Sequence, residues 1–316
     1  MPFQIIRSDI TKVTADAIVN TANPEPKVGR GTDSAIYNAA GWDELLAERV
    51  KIGSIAPGEA AATPAFKLNA KYIIHTVGPV WQDGRSGELD TLRRCYVNSL
   101  QLADKLGCAS IAFPLIASGT YRFPKDEALS IAMNEISRFL MAGDSDMQIT
   151  MVVYDRTAFR LSRSLFSEVE SFIEDEEVLR EHRREYYPNT SVNRVGIPFE
   201  PGSEFIFRDR LIALMNEKKI EDNMSVYKGA NITKGAFSKI MCGDTKTPRK
   251  DAVMGLCISM KLNLSEADNL MASAGWAFNP YDKRDQLIRK LISTHNNIFD
   301  VNSALYAAGF DCIGSF

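Results

Sequence analysis

The order of apolar and polar positions changes character once along the chain. Up to about residue 175, short runs rich in Ile and Val alternate with longer stretches whose apolar residues recur every three or four positions. The runs "FQIIR", "AIVN", "YIIHTV", "SIAFPLI" and "ITMVVY" have the length and β-branched content of buried strands. The stretches "AIYNAAGWDELLAERV", "LDTLRRCYVNSLQLADKLG" and "KDEALSIAMNEISRFLMAG" carry the helical period. Strands alternating with helices predict a layered α/β domain over residues 1–175, with a mixed, mostly parallel sheet. In such sheets ligands bind beyond the carboxyl ends of the strands.

Residues 176–202 break this pattern: charges cluster, then Pro, Asn and Gly accumulate. A charged helix running into a linker fits, as does a lone helix bridging two domains. Residues 203–316 show only short amphipathic pieces punctuated by Gly, Asn or Pro, which predicts a compact all-α domain.

Composition changes this picture little. A chain of 316 residues, 45% hydrophobic and 24% charged, fits two globular domains. A net charge of −3 gives no global reason to expect nucleic acid or membrane as a partner. The five cysteines form no Cys-x-x-Cys and sit among apolar residues, so free thiols in a reducing, cytoplasmic setting are expected. Three scattered histidines, His75, His182 and His295, give no metal-ligand spacing, and neither a metal nor a cofactor is expected.

Two polar segments stand out because each follows a strand. In the first, "IVNTANPEPKVGRGTDSAIYNAAG", two Asn three apart precede two glycines flanking Arg30, and then Asp33. The second, "ASGTYRFPKDEA", offers small residues and then Pro124, a residue favoured at a first helical position. Backbone N–H groups of such loops, at a helix start, suit phosphate. Two facing loops would clasp a diphosphate, although either alone is equally an ordinary strand–helix connection.

Taken together, these motifs resemble the macrodomain (Appr-1''-p processing) family, closest to its MacroD-type branch. Asn20-Thr21-Ala22-Asn23, Gly29-Arg30-Gly31, Thr32-Asp33 and Ala39-Ala40-Gly41 follow the family's first loop and helix. "YIIHTVGPVW", "ASGTYRFP" and "RSDITKVTADAIVN" match its middle strand, second loop and entry. The resemblance implies an ADP-ribose cleft, a partner in ADP-ribose or an ADP-ribosylated protein, and hydrolysis of ADP-ribosyl esters on acidic residues or of O-acetyl-ADP-ribose. It implies roles for Asp9 and Ile10 at adenine and for Asn23 at a ribose diol. Asn20 more readily holds the loop than the ligand. Gly29 and Gly31 would lie along the distal ribose and phosphate, and Ser118, Gly119, Thr120 and Tyr121 over the diphosphate. Phe123 would meet the distal ribose, and Tyr154 would flank adenine.

Asp33 is the only carboxylate in the part of the loop that would face the distal ribose, so it is the candidate to orient or deprotonate water, together with Asn23. The structural alternative for Asp33 is a helix N-cap, and for Asp9 a turn cap. His75 and Trp81 are expected to be core packing. Val28 and Arg30 replace glycines of the family's loop, and Arg122 and Phe123 depart from it in the second, which places two cations near the phosphates.

The stretch "VYKGANITKGAFSKIMCGDTKTPRKDAVMGLCISMKL" resembles a Cro-like helix-turn-helix. Ala236, Phe237 and Ile240 are expected to face its core, leaving Thr233, Lys234, Ser238 and Lys239 outward for DNA. Residues 225–261 hold seven Lys or Arg and two Asp, a local excess of basic charge. A helical bundle for protein contact fits the same residues. Two readings stand: an ADP-ribosyl hydrolase with a helical targeting domain, and a non-enzymatic ADP-ribose sensor that binds DNA or a protein.

Overall fold

The computed structural model describes residues 3–143, 145–153, 206–294 and 296–314, and the chain divides into two compact units. The predicted linker, 176–202, lies outside the described residues, as do Tyr154, His182 and His295.

The first unit is built on a six-stranded sheet: β1 (Phe3–Arg7), β2 (Ala17–Thr21), β3 (Ala60–Pro64), β4 (Tyr72–Thr76), β5 (Ser110–Pro114) and β6 (Gln148–Val153). The order is β1-β6-β5-β2-β4-β3, and every pairing is parallel except β3 with β4. The edge strand β3, "AAATP", carries neither alternation nor a β-branched run, and the sequence pattern missed it.

Helices α1 (Thr32–Ala40) and α2 (Trp42–Ile52) cover one face, where Ile18, Ile36, Tyr37, Leu45 and Ile73 share a core. The apolar periodicity reads through this pair as one helix. Gly41, at φ 110°, splits it. Helices α3 (Glu88–Lys105) and α4 (Lys125–Ala142) pack together on the other face, with the Tyr96 ring 5.3 Å from Phe113. Sheet alternation sorts the polar residues too. Asn20 lies two positions from Ile18, and His75 two from Ile73, so both point toward α1 and α2.

Parallel strands β2 and β5 pair only at Ala17–Ile111 and Ile18–Ala112. Beyond these pairs the ladder stops, and the loops leaving β2 and β5 emerge side by side at the carboxyl end of the sheet. This is where ligands enter open α/β sheets.

The second unit is helical: α5 (Ile206–Glu217), α6 (Asn223–Gly229), α7 (Lys234–Cys242), α8 (Lys250–Ser259), α9 (Leu264–Ser273), α10 (Lys283–Ser293) and α11 (Ile298–Ala307). Helix α8 is central and packs against α6, α9, α10 and α11. Gly255 allows this, because a Cβ there would lie 2.2 Å from the Ala230 carbonyl oxygen. No helix among the described residues is long and apolar enough to cross a membrane.

Candidate active site

Between the two loops lies a cleft of about 230 Å³. Thr21 to Asn23 and Gly29 to Asp33 form one wall; Leu115 and Ala117 to Tyr121 form the other, with Gly78 between. The first wall is fixed from behind. Gly31, at φ 73°, turns the chain into α1, and the Gly29 N–H donates to Asp33 Oδ2 at 2.5 Å. A Cβ at Gly29 would sit 3.0 Å from Asn23 Nδ2 and 3.2 Å from Asp33 Oδ2, so the close approach favours glycine.

Asp33 is buried yet lines the cleft. Its second oxygen accepts from Asn20 Nδ2 at 2.7 Å. Burial raises its pKa, while the Asn20 and Gly29 donors and the Arg49 charge pull it down. Asp33 is not the N-cap: Gly31 holds that place, and Asp33 sits in the first turn, where the helix dipole favours a carboxylate.

Arg49, on α2, is 1% exposed. Its guanidinium donates to the carbonyls of Asn23 (3.1 Å), Pro24 (3.0 Å) and Gly53, tying the first loop to α2. The sequence reading overlooked it, because an Arg in "LLAERV" looks like any surface helix charge. Nothing short of tertiary packing marks it.

The second wall is shaped by its backbone. Ala117 and Arg122, at φ 61° and 56°, adopt left-handed geometry rare outside glycine. The Phe123 N–H closes the loop on Ala117 O (3.0 Å), and the Trp81 N–H donates to Tyr121 O (2.9 Å). The Tyr121 hydroxyl reaches across the cleft and donates to Asn23 Oδ1 at 3.1 Å. Asn23 Nδ2 donates to Lys27 O at 2.8 Å.

The structure thus gathers Asn23, Gly29, Gly31, Asp33, Ser118, Gly119, Thr120 and Tyr121 around one cleft. Other expected contacts sit elsewhere. Asn20 is wholly buried beneath the cleft. Ile10 is buried, and Asp9 Oδ1 accepts from the Thr11 N–H and hydroxyl (2.9 and 2.8 Å), the turn-cap arrangement. Phe123 is buried 4.7 Å from the Trp81 ring and does not line the cleft. Of the two loop cations, Arg30 lines the cleft and Arg122 does not.

In the second unit Lys234, Ser238 and Lys239 are exposed on α7, and Thr233 caps it, accepting from the Ala236 N–H at 3.1 Å. Two expectations are corrected. Ala236 is exposed rather than core, because the buried stripe of this short helix is narrowed to Phe237 and Ile240. Lys228 is fully buried and adds nothing to a basic surface.

Among the described residues no cluster of His, Cys, Asp or Glu would hold a metal ion. None of the five cysteines lines the cleft, and burial pushes the Cys95 thiol up to about 11. The chemistry available here is therefore that of a buried carboxylate and convergent amides above the ends of two parallel strands.

A cleft of this kind belongs to the class of ligand-binding α/β domains. Residues 19–132 match the family model for the Macro domain. An O-acetyl-ADP-ribose deacetylase of Citrobacter rodentium is 44% identical over 167 residues, which are 52% of this chain and 94% of that protein. A macro domain-containing protein of Mesorhizobium japonicum is 49% identical over 134 residues, 42% of this chain and 76% of its own. The solved Oceanobacillus iheyensis macrodomain with ADP is 36% identical, covering 49% of this chain and 84% of its own, with a TM-score of 0.46. The chain belongs to the macro domain family through its first unit.

Proposed function

We propose that the cleft binds ADP-ribose and that the protein is a hydrolase of ADP-ribosyl esters, O-acetyl-ADP-ribose or ADP-ribose on acidic side chains, with the helical unit as its targeting part. One observation carries the reading. A buried carboxylate, Asp33, is held by two donors in the same cleft in which Asn23 and Tyr121 meet between two loops of small residues. The names of relatives such as the Citrobacter protein support the substrate class.

In this reading Asn23 and Tyr121 exchange their mutual bond for the ribose hydroxyls. Backbone N–H groups of Gly29–Gly31 and Ser118–Thr120 take the diphosphate. Asp33 orients a water and accepts its proton as the oxygen attacks the acyl or the anomeric carbon. The leaving oxygen departs with the electron pair of the broken bond. Arg30, exposed at the rim, pairs with phosphate and narrows the entrance, which favours a small free ester over a protein-linked one.

A calorimetric titration with ADP-ribose, followed by turnover of O-acetyl-ADP-ribose and of a glutamate-linked substrate, tests this. Asp33→Asn should lower turnover roughly 10²–10⁴-fold, the size of a general-base contribution, with little change in affinity. Its stability should fall as well, because Asp33 accepts through both oxygens, from Asn20 Nδ2 and the Gly29 N–H, and an amide offers only one acceptor. The exposed Lys234, Ser238 and Lys239 favour a second reading, a sensor that binds DNA or protein through α7. ADP-ribose binding without turnover on either substrate would establish it instead.

A further inference from the structure

Behind Asp33 runs a line of buried polar side chains that the proposed chemistry does not itself touch. Asn20 on β2 uses one amide nitrogen twice: Nδ2 donates to Asp33 Oδ1 at 2.7 Å and lies 3.2 Å from His75 Nδ1 on β4. The other ring nitrogen, His75 Nε2, lies 3.0 Å from Thr63 Oγ1 on β3. Asn20 and His75 are paired across the parallel ladder, and Thr63 is paired with Ile73, two residues from His75 on the same face. Asn20, His75 and Thr63 are all buried.

We infer that His75 and Thr63 are positioning residues: the imidazole tautomer, fixed by the Thr63 hydroxyl, sets the orientation of the Asn20 amide and so keeps an N–H on Asp33. This rests on Asp33 being the base of the proposed reaction. An amide has one donor end and one acceptor end. Only when His75 Nδ1 is bare does it accept the second Asn20 N–H, while the first points at Asp33. A bare Nδ1 requires the proton on Nε2, and the Thr63 hydroxyl, 3.0 Å away, has the lone pair to accept it. With the other tautomer, the Nδ1–H would draw the Asn20 oxygen toward itself and turn that oxygen toward the carboxylate.

Asn20 Oδ1 has no hydrogen-bond partner among the described residues, an uncommon state for a buried amide. Its orientation is thus not chosen by what satisfies the oxygen. It is chosen by what the nitrogen holds. His75 stays neutral throughout the working range, since burial and the Arg49 charge press its pKa to about 3.

Other groups facing Asp33 leave a clean readout. Arg49 comes from α2, Tyr37 from α1 and Tyr121 from the second loop. Glu25 acts on Arg49, and Arg30 shares the cleft wall. The Tyr37 phenol is pushed up to about 12 and Tyr121 is also raised, so neither titrates near neutrality.

The test is a carboxyl-carbon NMR titration of Asp33 in the full chain, wild type against Thr63→Val and Thr63→Ser, with the pH profile of kcat/KM beside it. Thr63→Val keeps the shape and removes the hydroxyl. The Asp33 midpoint and the acid limb of the profile should both move up by about one pH unit, as expected for a carboxylate losing one donor. Thr63→Ser should restore both, and ADP-ribose affinity should be unchanged in either variant. A lost packing contact alone would lower the melting temperature and leave the midpoint in place, which overturns the inference. Nitrogen chemical shifts of His75 in the wild type need no variant: a proton on Nε2 supports the relay, and a proton on Nδ1 overturns it. Absence of turnover would refute the base role of Asp33 and still leave the titration to decide the relay.

Discussion

The two units begin their helices differently. In the first, α1 to α4 start at Gly31, Gly41, Gly87 and Pro124, none with a side-chain cap. In the second, among the six helices whose caps are described, Asp222, Thr233, Asn263, Asp282 and Asn297 each accept an N–H of the turn they open, and Arg249, before α8, does not. Each such cap stabilises by about 1 kcal/mol. Helices α1 to α4 forgo these, and at α1 the glycine entry is part of the cleft wall.

Charge follows the same division. The first unit buries Arg49, Asp33 and His75 together beneath its cleft. The second spreads its ion pairs through the bundle: Arg284 forks onto Asp251 at 2.9 and 2.8 Å, Lys250 and the Asn279 N–H meet Asp285, and Arg289 reaches Asp268. The first unit has surface ion pairs of its own, Lys71 with Asp16 and Arg138 with Glu135 among them; what sets it apart is that Arg49 and Asp33 are buried by the cleft.

That contrast can be broken most directly at its cations. Arg49→Met should cost roughly 3–5 kcal/mol, because three loop carbonyls lose their donor and Asp33 its counter-charge. The matched Arg289→Met breaks a half-exposed pair and should cost less than about 1 kcal/mol. Comparable losses of melting temperature would erase the distinction.

Acid should act on the first unit through His75. Its pKa is about 3 in the fold and 6.5 ordinarily, so the unfolded chain takes up a proton that the folded one refuses. Stability is therefore full above pH 6.5 and declines as pH falls toward 3, by at most about 1.4 kcal/mol per pH unit. Denaturant titrations from pH 7 to pH 4 measure the slope, and His75→Leu should flatten it.

The smallest effect concerns a cap. Asn263 and Glu266 form a reciprocal capping box at α9. Asn263→Ala should lower the stability of the helical unit by about 1 kcal/mol and leave ADP-ribose affinity untouched. A calorimetric scan and a binding titration on one preparation check both halves.

Much of this was legible beforehand because it is local. Strand β1 coincides with the apolar run "FQIIR", and the helices described in the second unit fall within residues 203–316, where the pattern shows only short amphipathic pieces. The cleft loops were legible because glycine marks where the chain turns sharply at Gly31 and passes close to Asn23 and Asp33 at Gly29. What escaped depends on partners distant in sequence. Strand β3 exists because β4 offers it an edge, despite alanines with little strand preference of their own. Asn20 reads as holding the loop, but that it does so from beside the His75 ring shows only once β4 is paired beside β2. Phe123 reads as a cleft residue until Trp81 covers it.

The tie between Trp81 and the second loop gives the cleft a built-in optical reporter. Of the three tryptophans, Trp42 packs on Tyr37 and Trp276 belongs to the helical unit. Trp81 alone has its backbone N–H on Tyr121 and its ring edge against Phe123, at the two ends of the Tyr121-Arg122-Phe123 turn. A guest that parts Tyr121 from Asn23 is expected to pull on that turn and alter the surroundings of the indole, a change that a fluorescence titration with ADP-ribose would record without any label.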